Sequence, residues 1–177
     1  MLQDRDPKDK RPVIVMAQDE DLFGRINNAR RAWAPPALRP KAPRQYVFAA
    51  ICPALGKMTA LILPYANTET MNIFLRHVSI DFQIYFMIIV VDQAAWHMSK
   101  NLVVPENIRL IPQPAHSPEL NPTEHLWEEV REKYLHNTAF QSIDRLEDTL
   151  CTALNDIYND PHRLTSMTNL PYLRVTL

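Results

Sequence analysis

Short apolar runs separated by polar turns predict the strands of this chain. Five such runs are found, at residues 13–18, 46–52, 58–63, 84–91 and 108–111. The turn sequence Pro53-Ala-Leu-Gly56 lies between the second and third runs and predicts a hairpin. The fourth run is nearly all apolar, which is typical of a strand that is buried on both faces of a sheet.

Apolar positions at helical spacing predict three helices. Asn67 or Thr68 caps a helix that ends near Asp81, and its apolar residues at positions 71, 74, 75 and 78 form one face. Asn121 and Pro122 have the residue types of a cap and a first helical position, so they predict the start of a second helix. The last helix is predicted from about residue 142 to residue 158, with an apolar inner side.

The order of these elements predicts an α/β fold. Two or three antiparallel strands are followed by a helix, two more strands and terminal helices, and residues 22–44 add a strand-like piece and an irregular basic loop with four prolines. A strand, helix, strand connection requires parallel pairing. We therefore expect a mixed sheet with helices on both faces, and a site where the strands before Asp19 and Asp92 end.

Length and composition restrict the classes of function. The 177 residues, 46% hydrophobic and 22% charged, correspond to about one globular domain. With only 2 Gly against 15 Pro, a glycine-rich phosphate loop or dinucleotide fingerprint is disfavoured. Cys52 and Cys151 are predicted to be buried thiols in a reducing compartment. The apolar run at residues 86–91 is far too short to span a bilayer, so we expect a cytoplasmic protein.

Charge is distributed unevenly, although the net charge is only −1. Residues 22–68 contain seven basic and no acidic residues, whereas residues 119–160 contain ten acidic and three basic residues. The first segment is therefore positive enough to lie along a phosphate backbone, and the second is negative enough to hold metal ions. Ordinary solvated surfaces explain the same pattern equally well. The basic residues are Arg25, Arg30, Arg31, Arg39, Lys41, Arg44 and Lys57.

Three carboxylates on separate elements are candidates for a metal site. They are Asp19 after the first predicted strand, Asp92 after the buried strand and Glu124 in the first turn of a helix. Mg²⁺ or Mn²⁺ takes oxygen ligands, and two such ions about 4 Å apart activate a nucleophile and stabilise a leaving oxyanion at a phosphodiester. Because side chains alternate along a strand, Asp19 and Glu20 point to opposite faces, and we choose Asp19, with Glu20 and Asp21 as reserves.

Glu124 and Asp92, and the aromatic residues near them, also have simpler structural interpretations. Glu124 stands three residues after Asn121, where a capping-box glutamate belongs, and Asp92 is suited to begin a turn. His97 either contacts phosphate, orients a ligand or is a packing residue beside Trp96. Trp127 has helical spacing that is most simply explained by a core position.

Four sequence blocks, taken together, indicate a family. They are Gln18-Asp19-Glu20 with Phe23-Gly24, Trp33-Ala34-Pro35, Asp92-Gln93-Ala94-Ala95-Trp96-His97, and Ser117-Pro118-Glu119-Leu120-Asn121-Pro122-Thr123-Glu124-His125-Leu126-Trp127. In this order they resemble the bacterial insertion-sequence transposases related to mariner elements. The 31 residues between Asp92 and Glu124 are near the spacing typical of that family.

The resemblance implies a ribonuclease H-like fold with a five-stranded mixed sheet and a DDE metal site. Mapped onto matching positions, Asp19, Asp92 and Glu124 are the three catalytic and metal-binding acids, for two Mg²⁺ or Mn²⁺ ions. The implied activity is cleavage of the element's ends followed by strand transfer into target DNA. The resemblance covers a catalytic domain at residues 13–160. A polar leader at residues 1–12 precedes this domain, and a C-terminal tail at residues 161–177 follows it.

The resemblance also implies partners. One partner is double-stranded DNA, as both transposon ends and target. The other is a second copy of the chain, with which it forms a homodimer on DNA. When the protein is bound to DNA, its expected location is the nucleoid. Candidate DNA contacts are Arg25, Arg30, Arg31, Arg39, Lys41, Arg44 and His97. Relatives carry a helix-turn-helix region before the first acid, and here the first acid is residue 19. We therefore expect the helix-turn-helix region on a separate or frameshift-joined polypeptide. The alternatives are an inactive remnant or repurposed DNA-binding module, and a nuclease for RNA–DNA hybrids.

Overall fold

A computed structural model describes residues 5–25, 44–114, 117–136, 138–170 and 173 of the chain. The strands are β1 (Val13–Gly24), β2 (Arg44–Cys52), β3 (Lys57–Leu63), β4 (Phe86–Val91) and β5 (Ile108–Pro112). The helices are α1 (Thr68–Asp81), α2 (Thr123–Lys133), α3 (Ile143–Tyr158) and α4 (Pro161–Thr168). The prediction of an α/β chain with this order of strands and helices is confirmed.

The five strands form one mixed sheet in the order β3-β2-β1-β4-β5. β2 pairs antiparallel with β1 and β3, whereas β4 pairs parallel with β1 and β5. The predicted hairpin is confirmed, and so is the parallel pairing that the connection through α1 requires. β1 is therefore the strand at which the antiparallel and parallel halves of the sheet meet.

Helices cover both faces of the sheet, as predicted. On one face, α1 packs through Met71, Phe74 and Leu75 against side chains of β1, β2 and β4. On the other face, α2, α3 and α4 share a core with β2 that includes Trp127, Leu150 and other buried side chains. Side chains of a strand alternate between these two cores. None of the helices among the described residues has the length and apolar character needed to cross a membrane.

Most predicted element ends agree with the structure to within two residues. Asn67 caps α1 in a reciprocal capping box with Thr70, as its position predicted. β4 begins at residue 86 rather than 84, because Ile84 lies in the turn after α1 and is exposed. α2 begins at Thr123 with Pro122 as its cap residue, while the Asn121 side chain accepts a hydrogen bond from the Thr123 N–H at 3.1 Å.

The largest correction concerns β1, which was expected to end at residue 18. The strand continues to Gly24 because β2 pairs with it as far as Gly24 and Arg44, well beyond the last residue that pairs with β4, Ala17. Asp19 therefore lies within a strand rather than after one. The strand-like piece predicted from residue 22 is the end of β1, and residues 26–43 lie outside the described residues.

The predicted C-terminal tail contains helix α4, which packs with the rest of the domain. Leu164 of α4 is completely buried in the core shared with α2 and α3. Gly56 in the β2–β3 turn lies against the start of this helix, with a positive φ of 59°. A Cβ atom at this position would be 2.8 Å from the Pro161 carbonyl oxygen, so only glycine fits. Cys151 on α3 is exposed, which corrects its predicted burial, whereas Cys52 is buried.

Gly56→Ala and Gly56→Asn should both destabilise the protein by about 1–3 kcal/mol. Asparagine tolerates a positive φ, so a loss of stability in both variants would show that the contact with α4 matters as well as the backbone conformation. Urea unfolding, with Ala54→Asn at an exposed position of the same turn as the control, measures the difference. A stable Gly56→Asn variant would contradict the close packing of α4 on this turn.

Candidate active site

The three predicted acids lie at one end of the sheet. Asp19 is in β1, Asp92 directly follows β4, and Glu124 is in the first turn of α2. The parallel register pairs Ala17 with Val90, so Asp19 and Asp92 each lie two residues beyond the last paired position of β1 and β4. Asp19 is on the face on which α2 packs against the sheet.

Asp19 is a largely buried carboxylate in contact with α2. The indole Nε1 of Trp127, a residue only 1% exposed, donates a hydrogen bond to Oδ2 of Asp19 at 3.2 Å. Burial raises the pKa of Asp19, and the negative charges of Glu20 and Glu124 raise it further, to about 7. Among the described residues, Asp19 has no cationic partner. The part of the chain that the structure describes therefore supplies no positive charge to this carboxylate.

The neighbouring Asp21 lies on the same face but is compensated. Arg131 of α2 forms an ion pair with it, and the guanidinium also lies 5.3 Å from the ring centroid of Phe23. Burial raises the pKa of Asp21, and Arg131 opposes that rise. The pair also links β1 to α2 close to Glu124, whose pKa is raised by burial and then by the charge of Asp21.

Glu20 points to the opposite face, as the alternation along β1 predicts. Oε1 of Glu20 accepts a hydrogen bond from Trp96 Nε1 at 2.5 Å, and Oε2 accepts one from Gln18 Nε2 at 2.8 Å. Nε2 of His97 is 3.5 Å from the same Oε2. Both reserve acids thus have several partners, whereas Asp19 has few. This difference supports the choice of Asp19, which remains a prediction.

Asp92 is held by the loop that follows it. Its Oδ1 is 2.7 Å from His97 Nδ1 and accepts a hydrogen bond from the Ala94 N–H at 2.9 Å. The hydrogen bond from His97 lowers the pKa of Asp92 in spite of partial burial. Burial lowers the pKa of His97, but the carboxylates of Asp92 and Glu20 outweigh it and raise that pKa to about 9. A cationic imidazole therefore lies between two carboxylates.

The burial of His97 bears on its predicted contact with DNA. None of its side chain is exposed to solvent. To reach a phosphate, the ring would have to leave both Asp92 and Glu20. The ring position agrees instead with another role considered from the sequence, the orientation of a ligand.

The candidate acids are arranged in two parts rather than as one metal cage. Within the part of the chain that the structure describes, no group of three or more His, Cys, Asp or Glu side chains is placed to hold one metal ion. Asp19 and Glu124 interact electrostatically on the α2 face, and Asp92 is bound to His97 at the end of β4. The two parts belong to the same end of the sheet.

Two of the predicted DNA-contacting arginines fall in the described residues. Arg25 donates hydrogen bonds from Nε to the Phe140 carbonyl oxygen at 3.0 Å and from a terminal nitrogen to the Gln141 carbonyl oxygen at 2.5 Å. Arg44 begins β2 and is exposed. The remaining four, Arg30, Arg31, Arg39 and Lys41, lie outside the described residues.

Sequence reasoning did not foresee several partners of the acids. Trp127 was expected in the core, which is confirmed, but its hydrogen bond to Asp19 was not predicted. The ion pair of Asp21 with Arg131 and the contacts of Glu20 were also missed. The alternation of the acidic triplet was the available signal, because it indicates that the three carboxylates must find partners on two different faces.

A family model described as DDE superfamily endonuclease matches residues 14–147, well over half of the chain. The chain belongs to this family. An uncharacterized protein (y4pE/y4sA) of Sinorhizobium fredii is 38% identical to this DDE endonuclease over 124 residues, which are 69% of the chain and 91% of the relative. The resemblance seen in the sequence is thereby confirmed at the level of the superfamily.

Solved structures of the Mos1 mariner transposase share the fold. The Mos1 strand transfer complex is 15% identical with a TM-score of 0.60, and the Mos1 paired end complex with Mn is 15% identical with a TM-score of 0.62. In both cases 88% of the DDE endonuclease chain is matched, and it spans 53% of the Mos1 chain. The predicted ribonuclease H-like fold is confirmed.

Asp19→Asn should stabilise the metal-free protein above pH 7, by roughly 1–3 kcal/mol. Between pH 3.8 and about 7 the unfolded chain loses the Asp19 proton while the folded chain keeps it, so the stability contributed by this group falls as pH rises. Asparagine is neutral throughout and avoids that loss. Urea unfolding at pH 5 and pH 8, in buffers without divalent cations, measures the change.

Asp21→Asn is the matched control for this prediction. Burial raises the pKa of Asp21 as well, but Arg131 opposes that rise, so Asp21→Asn should stabilise the protein at pH 8 by less than Asp19→Asn does. If Asp19→Asn were no more stable than the natural chain at pH 8, or gained no more than Asp21→Asn, the raised pKa of Asp19 would be contradicted.

Proposed function

We propose that the chain is the catalytic domain of a cut-and-paste transposase of a bacterial insertion sequence related to mariner elements. Asp19, Asp92 and Glu124 are its catalytic carboxylates. The observation that carries this proposal is Asp19 itself, a partly buried carboxylate near Glu20 and Glu124 with no cationic partner among the described residues. In a chain of the DDE endonuclease family, such a carboxylate is suited to bind a cation that the protein does not supply.

The donor atoms fit Mg²⁺ or Mn²⁺. All three candidate side chains are carboxylates, and these hard cations take oxygen ligands together with water and substrate phosphate. Asp19, Glu124 and Asp92 are the side chains that would hold such ions. One Mos1 paired end complex is a complex with Mn, which is consistent with the same cofactor here.

The proposed reaction is an in-line substitution at phosphorus. Water attacks in the cleavage step and a freed 3′-hydroxyl attacks in strand transfer, a P–O bond forms as another breaks, and no protein side chain is covalently modified. Divalent cations held by these carboxylates would supply activation of the attacking oxygen and stabilisation of the departing oxyanion. The protein's part is to hold the carboxylates: Trp127 donates to Asp19, His97 donates to Asp92, and Arg131 compensates Asp21.

Other properties of a transposase belong to the whole protein or assembly. The chain spans about half of the length of the Mos1 chain. We propose that a separate or frameshift-joined helix-turn-helix portion recognises the transposon ends. Mos1 forms a paired end complex, and by analogy we propose a homodimer of this chain on two DNA ends. The basic residues that include Arg44 are proposed to follow the phosphate backbone of double-stranded DNA.

Substitution of the proposed acids should abolish metal-dependent cleavage. We expect the intact chain to bind Mn²⁺ in calorimetry and to nick supercoiled plasmid DNA with Mn²⁺, whereas Asp19→Asn, Asp92→Ala and Glu124→Ala lose both properties. Glu106→Gln removes an acid whose side chain is 90% exposed beside the N-terminal leader, and it should behave like the intact chain. Equal nicking by the intact chain and all three acid variants would contradict the proposed site.

A DNA-binding module without turnover is the second candidate. The observation that favours it is the lack, among the described residues, of a cluster of acids close enough to share one metal ion. It predicts DNA binding that Asp92→Ala does not change and that removal of Arg30 and Arg31 abolishes. Binding without any nicking, with Mg²⁺ or Mn²⁺ and the DNA-recognition portion present, would favour this candidate over an active enzyme.

A further inference from the structure

A buried polar network connects β1 to the loop that carries Asp92. Gln18, only 1% exposed, donates to Glu20, and Glu20 in turn faces the ring of His97. Trp96 donates to the other oxygen of Glu20. His97 then reaches Asp92 through Nδ1, which is 2.7 Å from Oδ1 and 3.2 Å from the Asp92 carbonyl oxygen.

The network contains two ionisable side chains, those of His97 and Glu20, that are almost inaccessible to solvent. The side chain of His97 is 0% exposed and that of Glu20 is 5% exposed. Removing such groups from water is costly, and an apolar packing of the same volume would often serve stability equally well. Nε2 of His97 also lacks a well-formed hydrogen bond, since its contact with Glu20 is long. These features indicate a network retained for what it does to Asp92.

Its effect on Asp92 is to fix one oxygen and leave the other available. His97 Nδ1 and the Ala94 N–H both bind Oδ1, while Oδ2 has no hydrogen-bond partner among the described residues. Asp92 is the first residue after β4, so the sheet itself does not fix its side chain. Glu20 follows Asp19 directly and points to the opposite face. β1 therefore carries one proposed metal ligand and, through Glu20 and His97, supports another.

We propose that Glu20 and His97 are positioning residues for Asp92: they hold its Oδ1 so that Oδ2 is presented to a divalent cation. This inference rests on the proposed function, in which Asp92 is a metal ligand. Hydrogen bonds to a metal-binding carboxylate commonly change metal affinity about 10-fold to 100-fold when they are removed. Neither residue needs to contact the metal or the DNA.

Two amide substitutions at His97 separate the roles of its ring nitrogens. The amide nitrogen of asparagine lies about where Nδ1 of histidine lies, so His97→Asn retains a donor for Asp92. The amide nitrogen of glutamine lies about where Nε2 of histidine lies, so His97→Gln directs its donor toward Glu20 instead. Calorimetric titration with Mn²⁺ should show about 10-fold or greater weakening for His97→Gln, with recovery of much of that loss in His97→Asn. Glu20→Gln should also weaken binding, because donors from Gln18 and Trp96 converge on both of its oxygens.

His77→Gln is the matched control. His77 also pairs with an aspartate, Asp81, at 3.2 Å, but on α1 and away from the proposed site, so Mn²⁺ binding should be unchanged. Thermal unfolding of each variant in the absence of metal identifies those that lose affinity only because they fail to fold. A variant with the natural unfolding temperature and weakened Mn²⁺ binding supports the positioning role.

The outcomes distinguish this inference from the proposed function. One possible result is that the intact chain binds Mn²⁺ and Asp92→Ala does not, while folded His97→Gln and Glu20→Gln bind as the intact chain does. This result overturns the positioning role and leaves the proposed metal site standing. The same holds if His97→Asn is no better than His97→Gln. If the intact chain itself does not bind Mn²⁺, with or without DNA, both the proposed function and this inference are overturned.

Discussion

The antiparallel pairing of β1 with β2 beyond the end of β4 is the constraint on which the site depends. β4 pairs with β1 only as far as Ala17, but β2 continues to pair with it to Gly24. The backbone of the acidic triplet is thereby fixed in an extended ladder, and its side chains must alternate between the two faces of the sheet. Asp19 and Asp21 face α2, and Glu20 faces the loop that follows β4.

This alternation gives three adjacent carboxylates three different environments. Arg131 pairs with Asp21, and N–H groups of Gln18, Trp96 and His97 surround Glu20. Burial raises the pKa of both Asp19 and Asp21, but neighbouring acids raise that of Asp19 further, whereas Arg131 opposes the rise at Asp21. Among the described residues, no cation pairs with Asp19. Carboxylates with strongly raised pKa values are commonly concentrated at functional sites.

Local patterns were sufficient to predict most of the fold, because hairpin turns, caps and apolar runs act over a few residues. The helix cap at Asn67 and the buried strand β4 are examples. The extent of β1 was not predictable, since polar residues 18–21 are held in the strand by pairing with a distant segment. The partners of the acids, such as Trp127 more than a hundred residues after Asp19, likewise depend on tertiary packing. The assignment of catalytic roles to the three acids came from family resemblance and remains to be tested.

The residues on either side of the basic segment 26–43 are held close together. Gly24 and Arg44 are paired across β1 and β2, and Arg25 is bound through its backbone and side chain to residues 140 and 141. A connection with fixed ends changes in length and sequence at little thermodynamic cost, because loop-closure entropy grows slowly with length. Changes in length or sequence between Arg25 and Arg44 therefore leave the register of β1 and β2, and with it the position of Asp19, intact.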